Sequence, residues 1–381
     1  MSLILPAKRP HPSIKRENGK TPISIKHEDQ WVPLLIHPDE LRLEATLMSG
    51  QSFRWLKTGE SEWSSVIQIT VQSSDDSAPT AHSHGFIQLR ETSSDVLFKI
   101  VSTRGQHVKI DAWERRLREY LRIDDIQLRE VTGAWAEKCQ HYRRKLAILP
   151  GLRLLKVDRL ESFVAFMSSS QNSVKRLTLM LSRLCRHFSN NLVGALHVPS
   201  GFPKTKKKVE AGASNASGAS KLVEFYSFPS LPELLSLSED DWTHLGFGYR
   251  ASYLIQSLPH LHSLGGEYWL LELSKKTHGE AREALQSFCG IGPKVADCVC
   301  LFSFGMETSV PVDTHCWQFS CRDYFPHWGA LVDYFGWKCD RKQYGSIGLV
   351  LKEIFGHRVG WAFMVLFAGT SLPQTVVSST T

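Results

Sequence analysis

The stretch EALQSFCGIGPKVADCVCLFSF, residues Glu283 to Phe304, decides the fold. Apolar residues spaced three and four apart on both sides of Gly290-Ile291-Gly292 predict two helices joined by a very short glycine turn. Pro293 suits the first position of the second helix, where its missing N–H costs little. The first N–H groups of that helix have no partner within the helix, so they can hold a phosphate.

Lys294 stands directly after this turn, at the start of a segment, Val295 to Phe304, that is apolar nearly all round. A nucleophilic lysine must be neutral, and lowering its pKa from about 10.4 to about 7.5 takes roughly 4 kcal/mol. The helix N-terminus supplies about 1 kcal/mol, so we expect burial to supply most of the rest. The alternative is an ordinary lysine that reaches water or pairs with Asp297.

Asp313 follows in VPVDTHCWQF, Val310 to Phe319, where it is well placed to cap the next helix. An ordinary N-cap is the alternative interpretation of this residue taken alone. The glycine turn resembles the helix-hairpin-helix DNA-binding element. Together with Lys294 and an aspartate in a PVD context, it resembles the catalytic signature of the helix-hairpin-helix superfamily of DNA glycosylases.

Within that superfamily the chain most resembles the eukaryotic 8-oxoguanine DNA glycosylase/AP lyase family. The resemblance extends over about residues 35 to 370 and rests on six motifs in the family's order: GQSFRW (Gly50–Trp55), SSSQNSVKRL (Ser168–Leu177), GFGYRASY (Gly246–Tyr253), GIGPKVADCVCL (Gly290–Leu301), VPVDTHCW (Val310–Trp317) and GWAFMVLF (Gly360–Phe367). It implies an α+β fold in which an N-terminal antiparallel β-sheet domain precedes a mostly α-helical domain.

The periodicity along the chain agrees with that fold. Strand-like segments come first: LRLEATLMSGQSFRW (41–55), SSVIQITVQ (64–72), GFIQLRE (85–91) and VLFKIVS (96–102). Helical segments follow: AWERRLREYL (112–121), RLESFVAFM (159–167) and VKRLTLMLSRLCRHF (174–188). We expect a disordered basic tail at 1–30, a sheet domain at 31–146, a helical helix-hairpin-helix domain at 147–372 with a disordered insertion at 203–220, and a second tail at 373–381.

The composition limits the classes of function. The 381 residues carry a net charge of +7, which favours a polyanionic partner, and 42% of them are hydrophobic. The chain has no apolar run long enough to span a membrane, and its N-terminus lacks a secretory signal. Its eight cysteines include no CxxC pair, so we expect thiols rather than disulfides, and buried thiols at Cys300, Cys316, Cys321 and Cys339.

The resemblance implies roles for individual side chains in the chemistry. Lys294 would attack C1′ of the damaged nucleotide and form a Schiff base, and Asp313 would stabilise the cationic sugar. Gly50 would accept a hydrogen bond through its carbonyl from the N7–H that only 8-oxoguanine carries. Cys298 and Phe367 would stack on the two faces of the base, although a plain core cysteine is the alternative for Cys298.

The resemblance also implies DNA contacts. Tyr249 would wedge into the vacated stack, Arg176 and Arg250 would hold the orphaned cytosine, and His315 would contact a phosphate; plain phosphate contacts or ion pairs are the alternative for both arginines. The full predicted set is Gln171, Asn172, Arg176, Tyr249, Arg250, Gly290, Gly292, Val295 and His315. No metal held by side chains is expected, but the carbonyls of Gln286, Phe288 and Ile291 would share a cation with a phosphate.

Two positions depart from the family pattern. Phe363 stands where the family has a glutamine that reads the Watson–Crick edge of the base, and phenylalanine cannot make such hydrogen bonds. Gln171 stands where an asparagine contacts the orphaned cytosine, and Asn172 is the neighbour that would take over that contact. The lesion range and the opposite-base preference therefore stay open.

Three interpretations follow from these motifs. The first is a bifunctional glycosylase/AP lyase that removes 8-oxoguanine opposite cytosine; the second keeps Lys294 and Asp313 but acts on another oxidised or ring-opened purine. The third is a catalytically silent DNA-binding protein, against which the presence of both residues argues. We expect no required cofactor, damaged duplex DNA as the partner, a monomer, and a nuclear location, with a mitochondrial pool left open.

Overall fold

The computed structural model describes residues 30–71, 81–199, 220–324 and 341–371. The predicted tails at 1–30 and 373–381 and the predicted insertion at 203–220 lie almost wholly outside these residues. Ser220 is described, and it begins a strand rather than ending a disordered segment.

An antiparallel sheet forms the N-terminal part of the described chain, as predicted. The strands are β1 Val32–Pro33, β2 Leu56–Lys57, β3 Glu62–Val71, β4 Ala81–Glu91 and β5 Val96–Arg104. Their order in the sheet is β1-β5-β4-β3-β2. The three long strands β3, β4 and β5 pair with one another in sequence order, with one register shift between Phe86 and Ile87.

The first strand-like segment was predicted wrongly in part. Within LRLEATLMSGQSFRW the residues Leu43–Leu47 form a short helix, α1. The carboxylate of Glu91 accepts a hydrogen bond from the Leu43 N–H at 2.8 Å and another from the Arg42 guanidinium at 2.8 Å. A residue far along the chain thus caps the helix, and local periodicity cannot show such a partner.

A second, smaller sheet lies inside the region that the sequence predicts as mostly helical. Strands β6 Leu192–Pro199 and β7 Ser220–Tyr226 pair antiparallel on either side of residues 200–219. Phe225 stacks on Phe86 of the large sheet with ring centroids 4.3 Å apart, and the Ser102 hydroxyl donates to the Val193 carbonyl at 2.7 Å. The hairpin therefore packs against the N-terminal sheet.

Helices make up most of the remaining described chain. Trp242 and Trp361 are fully buried in this region. The helices are α2 Ile110–Tyr120, α3 Leu128–Lys138, α4 Gln140–Ile148, α5 Arg159–Met167, α6 Val174–His187, α7 Leu231–Leu235, α8 Glu239–His244, α9 Arg250–Ser263, α10 Glu267–Leu273, α11 His278–Gln286, α12 Pro293–Phe302, α13 Thr314–Asp323, α14 Arg341–Phe355 and α15 Val359–Ser371.

The buried side chains divide into cores that do not follow the predicted boundary at residue 146. Trp135 and Tyr142, from α3 and α4, pack in the helical core, whereas Leu155 and Val157 pack with the sheet. The chain therefore crosses between the two cores more than once. No described helix meets the length and apolarity needed to cross a membrane. Cys300, Cys316 and Cys321 are buried, as predicted, and Cys339 lies outside the described residues.

His84, on β4, gives the sheet an expected sensitivity to acid. Burial, with a contribution from Arg104, lowers the pKa of His84 from 6.5 to about 3. The unfolded chain therefore binds more protons between these values, and stability that is present above pH 6.5 is lost as the pH falls. Between pH 7 and pH 5 the wild type should lose about 1 to 2 kcal/mol more unfolding free energy than His84→Asn.

Urea unfolding at the two pH values measures this difference. His262→Asn, at an exposed histidine of α9, is the matched control and should behave as wild type does. An equal loss of unfolding free energy in the wild type and in His84→Asn would contradict the assignment.

Candidate active site

The predicted glycine turn joins α11 to α12, and its two glycines serve different purposes. Gly290 has φ +82°, and a Cβ there would lie 2.5 Å from Cγ of Tyr253, so only glycine fits within the protein. Gly292 is exposed, has an ordinary φ of −89°, and has no atom within 4 Å of a built Cβ. Nothing in the described protein requires a glycine at 292, which leaves an approaching ligand as the reason for it.

This contrast predicts two different alanine phenotypes. We expect Gly292→Ala to keep the unfolding free energy within about 1 kcal/mol of wild type while weakening binding to duplex DNA about tenfold or more. Gly290→Ala should instead lower the unfolding free energy by about 1 to 3 kcal/mol. Thermal unfolding and fluorescence anisotropy measure the pair, and equal DNA affinity for Gly292→Ala and wild type would contradict the phosphate role of the turn.

Lys294 occupies the first turn of α12, as predicted, and it is half-buried. It does not pair with Asp297, because that buried carboxylate accepts from Nε2 of His278 at 2.7 Å and lies 3.5 Å from Nε of Arg282. Lys294 instead shares a side-chain hydrogen bond with Cys298. Of the two ordinary alternatives for this lysine, the pairing with Asp297 is therefore not the one that the fold shows.

The pKa of Lys294 contradicts the sequence-based expectation in sign. Burial lowers this pKa, but Cys298 and the Asp313 carboxylate raise it by more, so the pKa lies above its ordinary value. Burial raises the pKa of the Cys298 thiol to about 11, so the thiol is protonated at neutral pH. Without DNA, Lys294 is an ammonium ion, and it must give up a proton before it can attack.

Asp313 caps α13, as predicted. Its Oδ1 accepts from the backbone N–H groups of His315 at 3.0 Å and Cys316 at 2.9 Å. These bonds fix the carboxylate at the N-terminus of the helix. The carboxylate lies close enough to Lys294 to raise the pKa of that lysine.

A cavity of about 1120 Å³ brings many of the predicted residues together. Its volume exceeds what a flipped nucleotide needs. The predicted residues on its wall are Gly50, Asn172, Lys294, Asp313, His315 and Phe367, and residues that the sequence did not single out, among them Met48, Ser49, Phe53, Ser169, Val174 and Lys175, complete the wall. Cys298 and Phe363 are not part of the wall.

The loop that carries Gly50 is fixed by residues that the sequence analysis missed. Gly50 itself has φ +86°. The neighbouring Gln51 is 1% exposed; its amide donates to the Ser49 hydroxyl at 2.8 Å and to the Arg153 carbonyl at 2.9 Å, and accepts from the Leu155 N–H at 2.9 Å. The neighbours of Gln51 in GQSFRW do not show these distant hydrogen-bond partners. The signal that could have found Gln51 is its place directly after Gly50.

Phe363 lies behind Phe367 on α15. The two rings are 5.6 Å apart and 25° from parallel, and Phe363 is only 2% exposed. Cys298, which shares a hydrogen bond with Lys294, is 3% exposed. Phe367 and the His315 ring, with centroids 6.4 Å apart, form the wall next to Lys294. The position at which the family has its Watson–Crick edge reader is therefore occupied here by a buried ring packed against Phe367.

The predicted DNA contacts differ in their availability. Arg176 is exposed and Tyr249 is 50% exposed, as a wedge and a base contact require. Arg250 is only 2% exposed: its Nε donates to the Ser170 carbonyl at 2.9 Å, and its Nη2 to the Gln171 carbonyl at 2.9 Å. In this structure Arg250 thus holds the loop that presents Gln171, whose φ is +49°.

The remaining predicted contacts lie at the hairpin. The Val295 side chain is buried, so only its backbone N–H can serve DNA. The Phe288 carbonyl already accepts from the Ile291 N–H at 3.2 Å, and the cation predicted at Gln286, Phe288 and Ile291 stays a prediction. The described residues contain no cluster of three or more His, Cys, Asp or Glu side chains suited to a metal.

Comparison with known proteins decides the family. Residues 33–163 match the family model of the 8-oxoguanine DNA glycosylase N-terminal domain. The N-glycosylase/DNA lyase OGG1 of Arabidopsis thaliana is 31% identical over 340 residues, which cover 89% of this chain and 80% of the plant protein. The N-glycosylase/DNA lyase of Saccharomyces cerevisiae is 29% identical over 356 residues, covering 88% and 85%.

The chain belongs to the N-glycosylase/DNA lyase family. It is therefore a DNA glycosylase with DNA lyase activity, and the DNA-binding interpretation without catalysis falls away. The 8-oxoguanine glycosylase/lyase of Clostridium acetobutylicum, solved with duplex DNA, shares the fold at a TM-score of 0.62 and 19% identity, covering 86% of this chain and 91% of that one.

A second solved structure, MBOgg1 with a low-affinity DNA ligand, matches at a TM-score of 0.64 and 19% identity, covering 91% of this chain and 98% of that one. The predicted α+β architecture, with an antiparallel sheet before a mostly helical region, is thereby confirmed. At this identity the structural likeness carries the fold alone.

Proposed function

We propose that this enzyme excises 8-oxoguanine paired with cytosine from duplex DNA and then cleaves the strand through a Schiff base on Lys294. The observation that carries the proposal is the convergence of Lys294, Asp313, Gly50 and Phe367 on one cavity. A nucleophile, an anion and an aromatic stacking face are the groups that base excision with covalent capture needs.

The damaged nucleotide must leave the stack before Lys294 can reach its sugar. Tyr249 is the exposed ring suited to fill the gap, and Arg176 is the exposed cation suited to the orphaned cytosine. Arg250 acts indirectly, because its hydrogen bonds to the carbonyls of Ser170 and Gln171 shape the loop that would face that cytosine. Gln171 and Asn172 supply amides in the same loop.

The protonation state of Lys294 suggests the order of the chemical steps. As the C1′–N9 bond breaks, its electron pair leaves with the base, and the Lys294 ammonium gives that base a proton. The Asp313 carboxylate stabilises the positive charge that develops on the sugar. The neutral amine of Lys294 then attacks C1′; a proton passes from its nitrogen to O4′ as the C1′–O4′ bond breaks, which leaves a protonated Schiff base. Transfer of a C2′ proton to water forms the C2′–C3′ double bond, and the phosphate leaves with the electron pair of the C3′–O bond.

Lesion recognition rests on the backbone of Gly50 and the ring of Phe367. A carbonyl accepts from the N7–H of 8-oxoguanine, whereas normal guanine presents an acceptor at N7 that would leave both groups unpaired. Gly50 lies on the cavity wall in a left-handed conformation, next to the fully bonded Gln51, so its carbonyl is held by a rigid loop. Phe367 offers the stacking face.

The buried Phe363 supports a second candidate substrate, a ring-opened purine. The side chain at this position is apolar, 2% exposed and packed under Phe367. It gives no hydrogen bond to the Watson–Crick edge, so selection by that edge is weaker than a glutamine would make it. A ring-opened guanine keeps this Watson–Crick edge and differs from 8-oxoguanine on the imidazole side, so the contact that Phe363 lacks does not separate the two lesions.

A panel of duplexes separates the two candidates. We would measure single-turnover release of 8-oxoguanine, a ring-opened guanine and normal guanine, each opposite cytosine, and of 8-oxoguanine opposite adenine. Fastest release of 8-oxoguanine opposite cytosine supports the proposal. Release of the ring-opened base alone would move the substrate and keep the lyase chemistry.

Phe363→Gln tests whether the residue packed beneath Phe367 can contribute to reading the base. Guanine and 8-oxoguanine share one Watson–Crick edge, so we expect the ratio of 8-oxoguanine to 8-oxoadenine release rates to rise about tenfold or more, because an added amide would reward the guanine edge. Phe363→Leu, which keeps the site apolar, is the matched control and should leave the ratio near that of wild type. An unchanged ratio in Phe363→Gln would mean that another group reads that edge.

The chemistry itself needs no added cofactor, because a lysine amine and a carboxylate supply every group that reacts. We further propose that the enzyme acts as a monomer in the nucleus, since both groups that would react, Lys294 and Asp313, belong to the same chain and duplex DNA is the partner. A DNA footprint that titrates as two chains per lesion would contradict the monomer.

A further inference from the structure

A groove remote from the catalytic lysine carries an unbalanced positive charge. It lies where the edge of the large sheet, the helix α2 and the start of α5 meet, and its volume is about 660 Å³. We call it the α2/α5 groove. Its wall comprises Gln68, Ile69, Thr70, Val71, His107, Val108, Ala112, Arg115, Arg116, Glu119, Lys156, Val157, Asp158, Arg159, Leu271 and Ser303.

The acidic residues of this groove are already occupied. Asp158 accepts from Arg116 at 2.7 Å, and Glu119 accepts from Lys156 at 2.8 Å. The carboxylates hold the pKa of Arg116 above its ordinary value although burial lowers it. Neither of the other two arginines, Arg115 and Arg159, makes a hydrogen bond or ion pair through its guanidinium with a described residue. Two guanidinium groups of one groove are therefore without a direct partner among the described residues.

The groove also contains buried polar atoms without partners. The Nε of Arg159 and the hydroxyl of Ser303 are buried and form no hydrogen bond with any described residue, and Ser303 is 1% exposed. Burial lowers the pKa of Arg159, and the neighbouring carboxylates of Glu119, Asp158 and Glu267 offset only part of that effect. A buried donor without a partner is unfavourable, so these groups are suited to a ligand with several acceptor oxygens.

The start of α5 adds further donors. Asp158 is the N-cap residue, but its side chain makes no capping hydrogen bond, since Arg116 holds the carboxylate. The first N–H groups of α5 thus lack a side-chain acceptor at the helix end that favours anions. Arg159 is the first residue of this helix. The start of α5, the guanidinium of Arg159 and the hydroxyl of Ser303 therefore offer donors to an anion in the same groove.

The groove and the active site lie at opposite ends of α12. Lys294 is in the first turn of this helix, and Ser303 follows its last residue, which separates the two residues by roughly 13 Å along the axis. The Val157 N–H donates to the Phe302 carbonyl at 2.7 Å and holds this end of α12 against the groove wall. A ligand in the groove would leave the catalytic cavity open.

We infer that the α2/α5 groove binds a phosphate monoester of nucleotide size, with Arg159, Arg115 and the Ser303 hydroxyl receiving the phosphate. Arginine presents a planar set of donors that matches phosphate oxygens, and a groove of this volume accommodates a mononucleotide. The apolar side chains of Ile69, Val71 and others on the wall suit the nucleoside. The same phosphate chemistry also occurs along a DNA strand, and the test separates the two sources.

Calorimetric titration with adenosine 5′-monophosphate, adenosine and sodium phosphate, at constant ionic strength, tests this inference on the full chain. We expect wild type to bind the monophosphate, to bind inorganic phosphate more weakly, and not to bind adenosine. Arg159→Gln should weaken the monophosphate at least about tenfold, as loss of charge-assisted hydrogen bonds predicts. Ser303→Ala should weaken it less. Arg144→Gln, at an exposed arginine of α4, is the charge-matched control and should bind as wild type does.

Unmodified duplex DNA provides the second arm. If Arg159→Gln weakens duplex binding and no free monophosphate binds to wild type, the phosphate site stands and its source is a DNA backbone. If Arg159→Gln and Arg144→Gln bind every phosphate-bearing probe as wild type does, the inference is wrong. Ligand-free thermal unfolding of each variant shows that the fold is intact.

Discussion

Lys294→Gln is expected to abolish borohydride-trapped adducts with DNA that carries an abasic site, while the affinity for the duplex stays within about threefold of wild type. The reason is the division of labour at the hairpin. In the proposed mechanism the amine of Lys294 forms the covalent bond, whereas the phosphate is held by the backbone at the exposed Gly292 and by the first N–H groups of α12. Gel analysis of trapped complexes and fluorescence anisotropy measure the two properties separately.

The cavity supplies its own control for this experiment. Lys175 also lies on the cavity wall and is exposed, so it is a second amine that DNA could meet. Lys175→Gln should trap at the wild-type rate. Persistent trapping by Lys294→Gln, or loss of trapping by Lys175→Gln alone, would show that Lys294 is not the nucleophile.

Asp313→Asn is expected to slow base release by about 100-fold to 1000-fold, the range for the loss of one preorganised electrostatic group. The fold should persist, because asparagine caps helices about as well as aspartate and can accept from the His315 and Cys316 N–H groups. The substitution removes the negative charge from the developing cationic sugar and leaves the cap in place. Single-turnover release of 8-oxoguanine measures the effect.

A pre-formed abasic site distinguishes the two electrostatic roles of Asp313. The carboxylate raises the pKa of Lys294, so its loss increases the fraction of neutral amine at a given pH. Asp313→Asn should therefore lose much less lyase activity on an abasic site than glycosylase activity on 8-oxoguanine. Equal losses in both reactions, or unchanged base release, would remove Asp313 from the stabilisation of the sugar.

The catalytic hairpin could be predicted from the sequence because its determinants are local. Gly290 needs a left-handed conformation, Pro293 fits a first helical turn, and Asp313 precedes a helix whose N–H groups it caps. Each of these features depends on neighbours within a few residues. Strand β5 was readable for the same reason, since its buried and partly exposed residues alternate, whereas the middle of β3 is buried on both faces.

Contacts between distant segments could not be predicted in this way. Glu91 caps α1 from 48 residues away. Arg54 of the Gly50 loop pairs with the buried Glu161 at 2.6 Å, and the two are 107 residues apart. The pKa of Lys294 was predicted with the wrong sign because a helical pattern shows burial but not the opposing influence of Asp313. Periodicity gives the face that a residue occupies and leaves its long-range partner undetermined.

Arg250 shows the same limit at the DNA surface. Its place in GFGYRASY predicts a base contact, yet its guanidinium is buried against the carbonyls of Ser170 and Gln171. A motif identifies the residue type that a site uses. Whether the side chain meets the ligand or supports a neighbour that does depends on the loop folded over it.

Peptide mapping of the borohydride-reduced complex between wild-type enzyme and a duplex with 8-oxoguanine opposite cytosine tests the central claim most directly. The account predicts one DNA-modified peptide, with the sugar remnant on Nζ of Lys294. A remnant on another amine, or base release without any trapped peptide, would contradict the Schiff-base mechanism proposed for this cavity.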